Sequence, residues 1–299
     1  MSSCSKRSVE LRRARPLLGT LVEVQVAAPS PARADCALRA GFAAIERVQA
    51  SMSFHDPASD LSRLNRDGAR GPVRVHPWLH TLLRRAQKLH AATDGLFDIA
   101  VAPALVRGGW LPRTATHAGA SRATTADLVL LTDNRVRFRR PLLIDLGGVA
   151  KGFAVDQAVA ALRRHGATAG IVNAGGDLRV FGAHSATIHI RLPESPGEFL
   201  ALDALRDTAL ATSAHYFAQR RVQGTLRAPI FHPHLRRFAA EQRSVSVQAR
   251  ECWLADALCK VVWLAGPAAS PILRISGAQA RVLETPRQSS GREARRHAA

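Results

Sequence analysis

Residues 142–157, LLIDLGGVAKGFAVDQ, constrain this chain more than any other stretch. The apolar run 142–144 ends at a carboxylate, Asp145, and Gly147 and Gly148 allow a tight turn. A helical pattern then begins with Lys151 in its first turn. The order predicts a strand, a turn and a helix N-terminus whose free backbone N–H groups can face an anion. Lys151, Val155, Val159 and Leu162 fall at i, i+4, i+8 and i+11, so the lysine heads the stripe that faces the core. A cation in a first turn opposes the helix dipole and calls for a negative partner. A phosphate group is one candidate, and a lysine snorkelling to solvent fits the same spacing. The GxxxxGK order of a P-loop is absent.

The segments around this unit read as α+β, with mixed or antiparallel sheets and packed helices. Residues 21–26 (LVEVQV) alternate as a strand. Pro31 opens a helical pattern running to about residue 50, and a second helix spans about 77–92. Between them Ser59 can cap a short helix. Asp133-Asn134 predicts a hairpin turn within 129–138. Strands are expected at 170–173, 187–192, 209–217 and 244–248, and an apolar helix at 254–264. Residues 1–15 read as a flexible basic arm, 16–285 as one domain, and 286–299 as a disordered basic tail. Residues 224–243, rich in Arg and His, fit no periodic pattern.

The formal net charge is +19. It does not read as a nucleic-acid surface, because the arginines are scattered beside abundant alanine. Tyr216 is the single tyrosine, so no stacking platform for bases is visible. The charge still favours acidic partners and phosphorylated ligands. Cys4, Cys36, Cys252 and Cys259 lack CxxC spacing and read as reduced thiols. No run of about 18 apolar residues is present, so no transmembrane segment is expected.

Three further groups carry possible chemistry. Asn173-Ala174-Gly175-Gly176-Asp177 joins two strands through paired glycines, which suits either a plain hairpin or a close backbone approach to a ligand. Asp256, Cys259 and Lys260 share one helix face, and their spacing favours an i,i+4 salt bridge over a metal site. His215, His232 and His234 lack ligands at metal spacing and read as loop histidines.

Together these blocks resemble the FAD:protein FMN transferases, the ApbE-type flavin transferases. The resemblance runs from Leu18 to Gly266. LGT (18–20), MSFHDPASDLSRLN (52–65), DGLFDIAVAPAL (94–105), IDLGGVAKGFAVDQ (144–157), NAGGDLRVFG (173–182), ALATSAHYF (209–217) and ADALCKVVWLAG (255–266) follow the family's order. The resemblance implies a single ApbE-like catalytic domain that binds FAD as substrate together with Mg²⁺. It would transfer FMN to a Thr or Ser of a target flavoprotein, releasing AMP. It also implies FAD contacts from Leu18, His55, Leu96, Phe97, Asp98, Asp145, Lys151 and Phe231, and Mg²⁺ ligands at Asp256 and at the carbonyls of Gly148 and Cys259.

The chain departs from the family's pattern at three places. Pro229 stands where the family has a histidine implicated in catalysis, and His232 stands at an aspartate position three residues on. Lys260 replaces a Thr or Asp metal ligand, where an ammonium either repels Mg²⁺ or replaces it by touching phosphate. His55 replaces an aromatic residue. His232 and Lys260 are the candidate catalytic groups that this leaves. Two functions follow: a working transferase, or a catalytically impaired FAD-binding relative acting as a flavin carrier or partner protein. The first 16 residues contain no signal-like apolar region, so a cytoplasmic location is expected. The periplasmic side of a bacterial inner membrane comes second, because the family it resembles is often exported.

Overall fold

The computed structural model describes residues 8–113, 122–192, 197–202, 204–216, 218–222 and 224–284. Its centre is a seven-stranded antiparallel sheet whose strands lie in chain order. They are Val9–Leu17, Thr20–Ala28, Ala169–Ala174, Asp177–Phe181, Ala209–Ala214, Arg243–Ala249 and Gln279–Glu284. Alternation sets the faces: Val22, Val24 and Val26 are all fully buried on the helix side. On the opposite face Leu178, Val180, Leu205 and Leu210 form a smaller apolar cluster beneath short ribbons.

Three long helices cover the first face: α1 (Pro31–Met52), α5 (Ala150–Arg164) and α6 (Cys252–Ala265). The shorter α2 (Asp60–Asp67), α3 (Pro77–Ala92) and α4 (Ala102–Arg107) lie between α1 and α5 in the chain, and α7 (Ser270–Ile275) follows α6. Pro31 occupies the first turn of α1, and the Ser30 side chain accepts the Arg33 N–H, a pairing that satisfies an otherwise free donor. Ser59 caps α2 in the same way. The 129–138 hairpin forms as expected, with Asp133 and Asn134 both at positive φ. The 224–243 region resolves into short ribbons, including Phe231–His232 paired with Arg237–Phe238.

Two expectations are corrected. Residues 9–17 are not part of a loose arm; they form the edge strand of the main sheet, from Val9 opposite Ala28 to Leu17 opposite Thr20. Their outward arginines mask an alternation in which Val9, Leu11 and Leu17 are the partly buried positions. The expected termini at residues 1–7 and 285–299 lie outside the described residues. The run 142–144 is not a sheet strand either. It is buried and extended, and its ladder partner is a side chain: Asn65 Nδ2 donates to Ile144 O and Asn65 Oδ1 accepts from Ile144 N, both at 2.9 Å. Asp145 N then donates to Ile99 O at 2.9 Å.

The stretch Cys252–Ile275 is long and apolar enough to cross a membrane by length and composition alone. Here its first part, α6, buries Leu258, Val261, Val262 and Trp263 in the core.

Candidate functional site

Where α5 begins, the sheet and the loops around residues 96–101 and 228–231 enclose a cleft of about 500 Å³. Leu18, Leu96, Phe97 and Asp98 line it, as do Asp145, Gly148, Lys151, Phe231 and Lys260. Leu18 and Gly19 form the two-residue turn between the first two strands, both at positive φ. That conformation is uncommon for leucine, and the Gln49 side chain fixes it by accepting the Leu18 N–H at 2.6 Å. Asp98 is tied down as well. Its Oδ1 accepts from Ala100 N, Thr125 N and Thr125 Oγ1 at 2.7–3.1 Å. Burial raises the carboxyl of Asp98 despite those bonds. Burial also raises that of Asp145, whose Oδ2 accepts the Gly147 N–H at 3.0 Å.

The floor holds two acid–base pairs. Lys151 pairs with Asp177, and Lys260 with Asp256. Asp177 and Arg179, two residues apart on one strand, point to the same face. There Asp177 meets Lys151 and Arg179 meets Asp156, both on α5. Asp156 also accepts the Cys252 and Trp253 N–H groups at 3.0 and 2.9 Å, capping α6. Lys260 Nζ donates to both the carbonyl (3.0 Å) and Oδ1 of Asp256, whose Oδ2 takes the Gly152 N–H at 3.2 Å.

Burial and the Asp256 charge push the Asp177 carboxyl up. Burial would do the same to Asp256, but Lys260 and Lys151 outweigh it and hold that carboxyl below its ordinary value. Burial opposes the Lys151 ammonium, yet Asp177 and Asp256 hold its pKa above the ordinary range. The negative partner that Lys151 requires is therefore built into the protein. The NAGGD turn contained it, but sequence offered no sign that Asp177 reaches across to α5.

The ApbE family profile matches residues 18–280. The chain belongs to the ApbE family. It is 30% identical over 264 residues to an FAD:protein FMN transferase of Rhodobacter capsulatus, spanning 84% of this chain and 50% of that protein. This chain thus covers about half the length of that relative. A Vibrio cholerae FAD:protein FMN transferase is 25% identical over 282 residues, 89% of this chain and 84% of that protein. Among solved structures, the flavin transferase ApbE from Vibrio cholerae has a TM-score of 0.77 at 22% identity, covering 92% of this chain and 93% of that one. Pseudomonas stutzeri flavinyl transferase ApbE, apo form, gives 0.78 at 18% identity, with 93% and 92% covered. These likenesses show the ApbE fold.

Some expected site residues do not join the cleft. His232 lines a neighbouring basin with Arg221, Arg236 and Arg237. Its Nδ1 accepts the Leu235 N–H at 3.3 Å, and burial with His234 and Arg237 lowers its pKa. Pro229, at the family's histidine position, does line the cleft. His55 is exposed beside Phe54, outside the cleft but near enough for its charge to act on Asp145. Cys259 lies inside α6, where its thiol donates to Ala211 O at 3.3 Å. Burial pushes that thiol up to about 12. Sequence reasoning did not single out Thr212 and Ser213, which line the cleft from the Ala209–Ala214 strand.

The carboxylate expected to hold Mg²⁺ does not fit it. Asp256 is fully buried. The Lys260 ammonium and the Gly152 N–H occupy its two oxygens. Among the described residues no group of three or more His, Cys, Asp or Glu side chains converges on one point. Mg²⁺ can be held by as few as one or two carboxylates with waters and substrate phosphates, so the deciding observation is that the open side of Asp256 is filled by the Lys260 ammonium.

Proposed function

We propose that this chain is an FAD:protein FMN transferase. The carrying observation is the cleft floor, where two lysines stand over two buried aspartates at the N-terminus of α5. Such a floor suits a diphosphate: fixed N–H dipoles and ammonium groups stabilise charge that grows on phosphate oxygens in the transition state. The relatives' names supply the reaction class. The acceptor's Thr or Ser hydroxyl oxygen attacks the phosphorus of the FMN half. The P–O bond to the AMP half breaks, a phosphodiester forms, AMP leaves, and the hydroxyl proton is lost.

In this reading Lys151 holds the diphosphate, and Leu18 with residues 96–98 packs against the nucleotide. Pro229 has no proton to move. Asp145 and Asp98 are the carboxylates lining the cleft. Asp145 is the better placed proton acceptor, because Asp98 Oδ1 is committed to three donors. Its raised pKa suits a general base. The partner is a flavoprotein segment presenting the hydroxyl.

The test mixes purified protein, FAD and a protein carrying a Thr or Ser acceptor, with and without Mg²⁺. Covalent flavin is read by in-gel fluorescence and AMP by chromatography. Covalent flavin that disappears in Lys151→Ala supports the transferase. The position of Pro229 favours a second reading, an FAD-binding carrier without turnover; tight FAD binding with neither flavin transfer nor AMP would support it. Absence of FAD binding refutes both.

A further inference from the structure

We propose that Lys260 is a built-in cation that replaces a divalent metal in this cleft, so that diphosphate binding is independent of metal. The inference rests on the FAD reading above and specifies how the same site meets its ligand.

Position comes first. The Lys260 side chain lines the cleft beside the Gly147–Gly148 turn; a Cβ placed on Gly148 would lie 3.4 Å from Lys260 Cε. The lysine is held there rather than swinging in solvent. It sits one turn after Asp256 on α6 and donates to both the Asp256 carbonyl and its carboxylate. An ammonium has three N–H donors, and these two bonds leave one for a ligand.

Charge comes second. The Asp256 and Asp177 side chains are 0% and 2% exposed, whereas those of Lys260 and Lys151 are 23% and 33% exposed. The carboxylates therefore lie beneath, the ammoniums face the cleft, and the four charges sum to zero. At the floor of the cleft, whose lining includes Asp145 and Asp98, a diphosphate meets the two ammoniums before the paired carboxylates. A divalent cation reaching the same floor meets two ammoniums, and the Asp145 and Asp98 carboxyls lining the cleft already accept from Gly147, Ala100 and Thr125. To reach Asp256 it would displace Lys260 and leave that ammonium without its partner, which is costly for a half-buried charge.

The experiment uses the full chain, stripped with EDTA and titrated with FAD by flavin fluorescence, in EDTA and in excess Mg²⁺. Calorimetry with Mg²⁺ alone is the second readout. The expected result is an FAD Kd that agrees within about twofold between the two buffers, and no saturable Mg²⁺ binding. Lys260→Met should weaken FAD binding in EDTA by about 10-fold or more, the usual worth of a charge-assisted hydrogen bond, while Lys260→Arg keeps a cation and most of the affinity. Lys260→Asp should make FAD binding respond to Mg²⁺.

If Mg²⁺ tightens wild-type FAD binding by about tenfold or more, or binds saturably by itself, the inference is overturned and the FAD reading stands. Unchanged affinity in Lys260→Met also overturns it. No FAD binding in either buffer overturns both. The wild-type comparison holds even if a variant fails to fold.

Discussion

Gly152 offers the sharpest test of how α5 and α6 are set. An alanine in a helix interior is ordinarily better than glycine by about 1 kcal/mol, so a glycine one residue after Lys151 looks like an easy site to stabilise. Here a Cβ would lie 2.6 Å from Cys252 C, 2.8 Å from Trp253 N, and closer still to Cys252 O. All three are backbone atoms at the start of α6, pinned by Asp156, and none can rotate away. Carbon contacts are comfortable near about 3.5–4.0 Å, so α6 must retreat by about 1 Å or α5 must bend. Overpacking of this kind costs about 1–3 kcal/mol, and a backbone clash belongs at the upper end. Net of the helix gain, Gly152→Ala should lose about 2 kcal/mol. That corresponds to a Tm drop of about 4–8 °C on the scale of somewhat smaller domains.

Urea unfolding should show a lower midpoint at unchanged slope, and FAD affinity should fall because the Gly152 N–H also fixes Asp256. Gly41→Ala is the control. There the nearest atom is a Leu162 methyl at 2.9 Å, which can move, so the loss should be smaller. A Gly152→Ala protein as stable as the wild type would refute the reasoning.

Asn65→Ala should cost about 2–3 kcal/mol in urea unfolding, because it strips both partners from the buried Ile144 backbone; a loss under about 0.5 kcal/mol would show that water replaces the side chain. His76 Nδ1 accepts the Trp78 N–H at the start of α3, which requires a neutral ring. Burial and Arg47 lower its pKa below the usual 6.5. The unfolded chain therefore binds the proton first, and stability should fall as pH drops from about 6.5 through the depressed folded value. His76→Asn keeps a cap acceptor and should flatten the profile of urea midpoint between pH 8 and 5; an unchanged profile would assign that slope elsewhere. His232→Ala should leave the FAD Kd within about twofold of wild type, since His232 lines the neighbouring basin and not the cleft; a tenfold loss would mean that the ligand reaches into the basin.

Much of the fold was legible because its signals are local. The Ser30–Pro31 start of α1, the Asp133-Asn134 hairpin and the i,i+4 spacing of Asp256 and Lys260 each depend on a few neighbouring residues. Ordered blocks such as IDLGGVAKGFAVDQ and NAGGDLRVFG carried the family. What was hidden depends on distant partners. Residues 142–144 read as a strand because they are apolar and extended, yet their partner is a side chain 79 residues away. Asp177 reads as a turn residue until its strand is laid beside α5. The placement of His232 over the neighbouring basin was hidden for a similar reason, because a ribbon's position over one hollow or the next is set by packing.

The sheet's plain order conceals an asymmetry in assembly. Five of its six seams join strands that are near in the chain, but the seam between Thr20–Ala28 and Ala169–Ala174 joins partners such as Ala27 and Thr168, 141 residues apart. Closing so large a loop is entropically expensive and slow. Leu18 and Thr20 stand on one side of that seam and Gly175 on the other, and all three line the cleft. A partly folded species lacking this closure has an incomplete cleft wall. In interrupted refolding, FAD binding should therefore emerge with the slowest phase, after α5 and α6 have docked. Earlier binding would mean that the cleft forms without its seam.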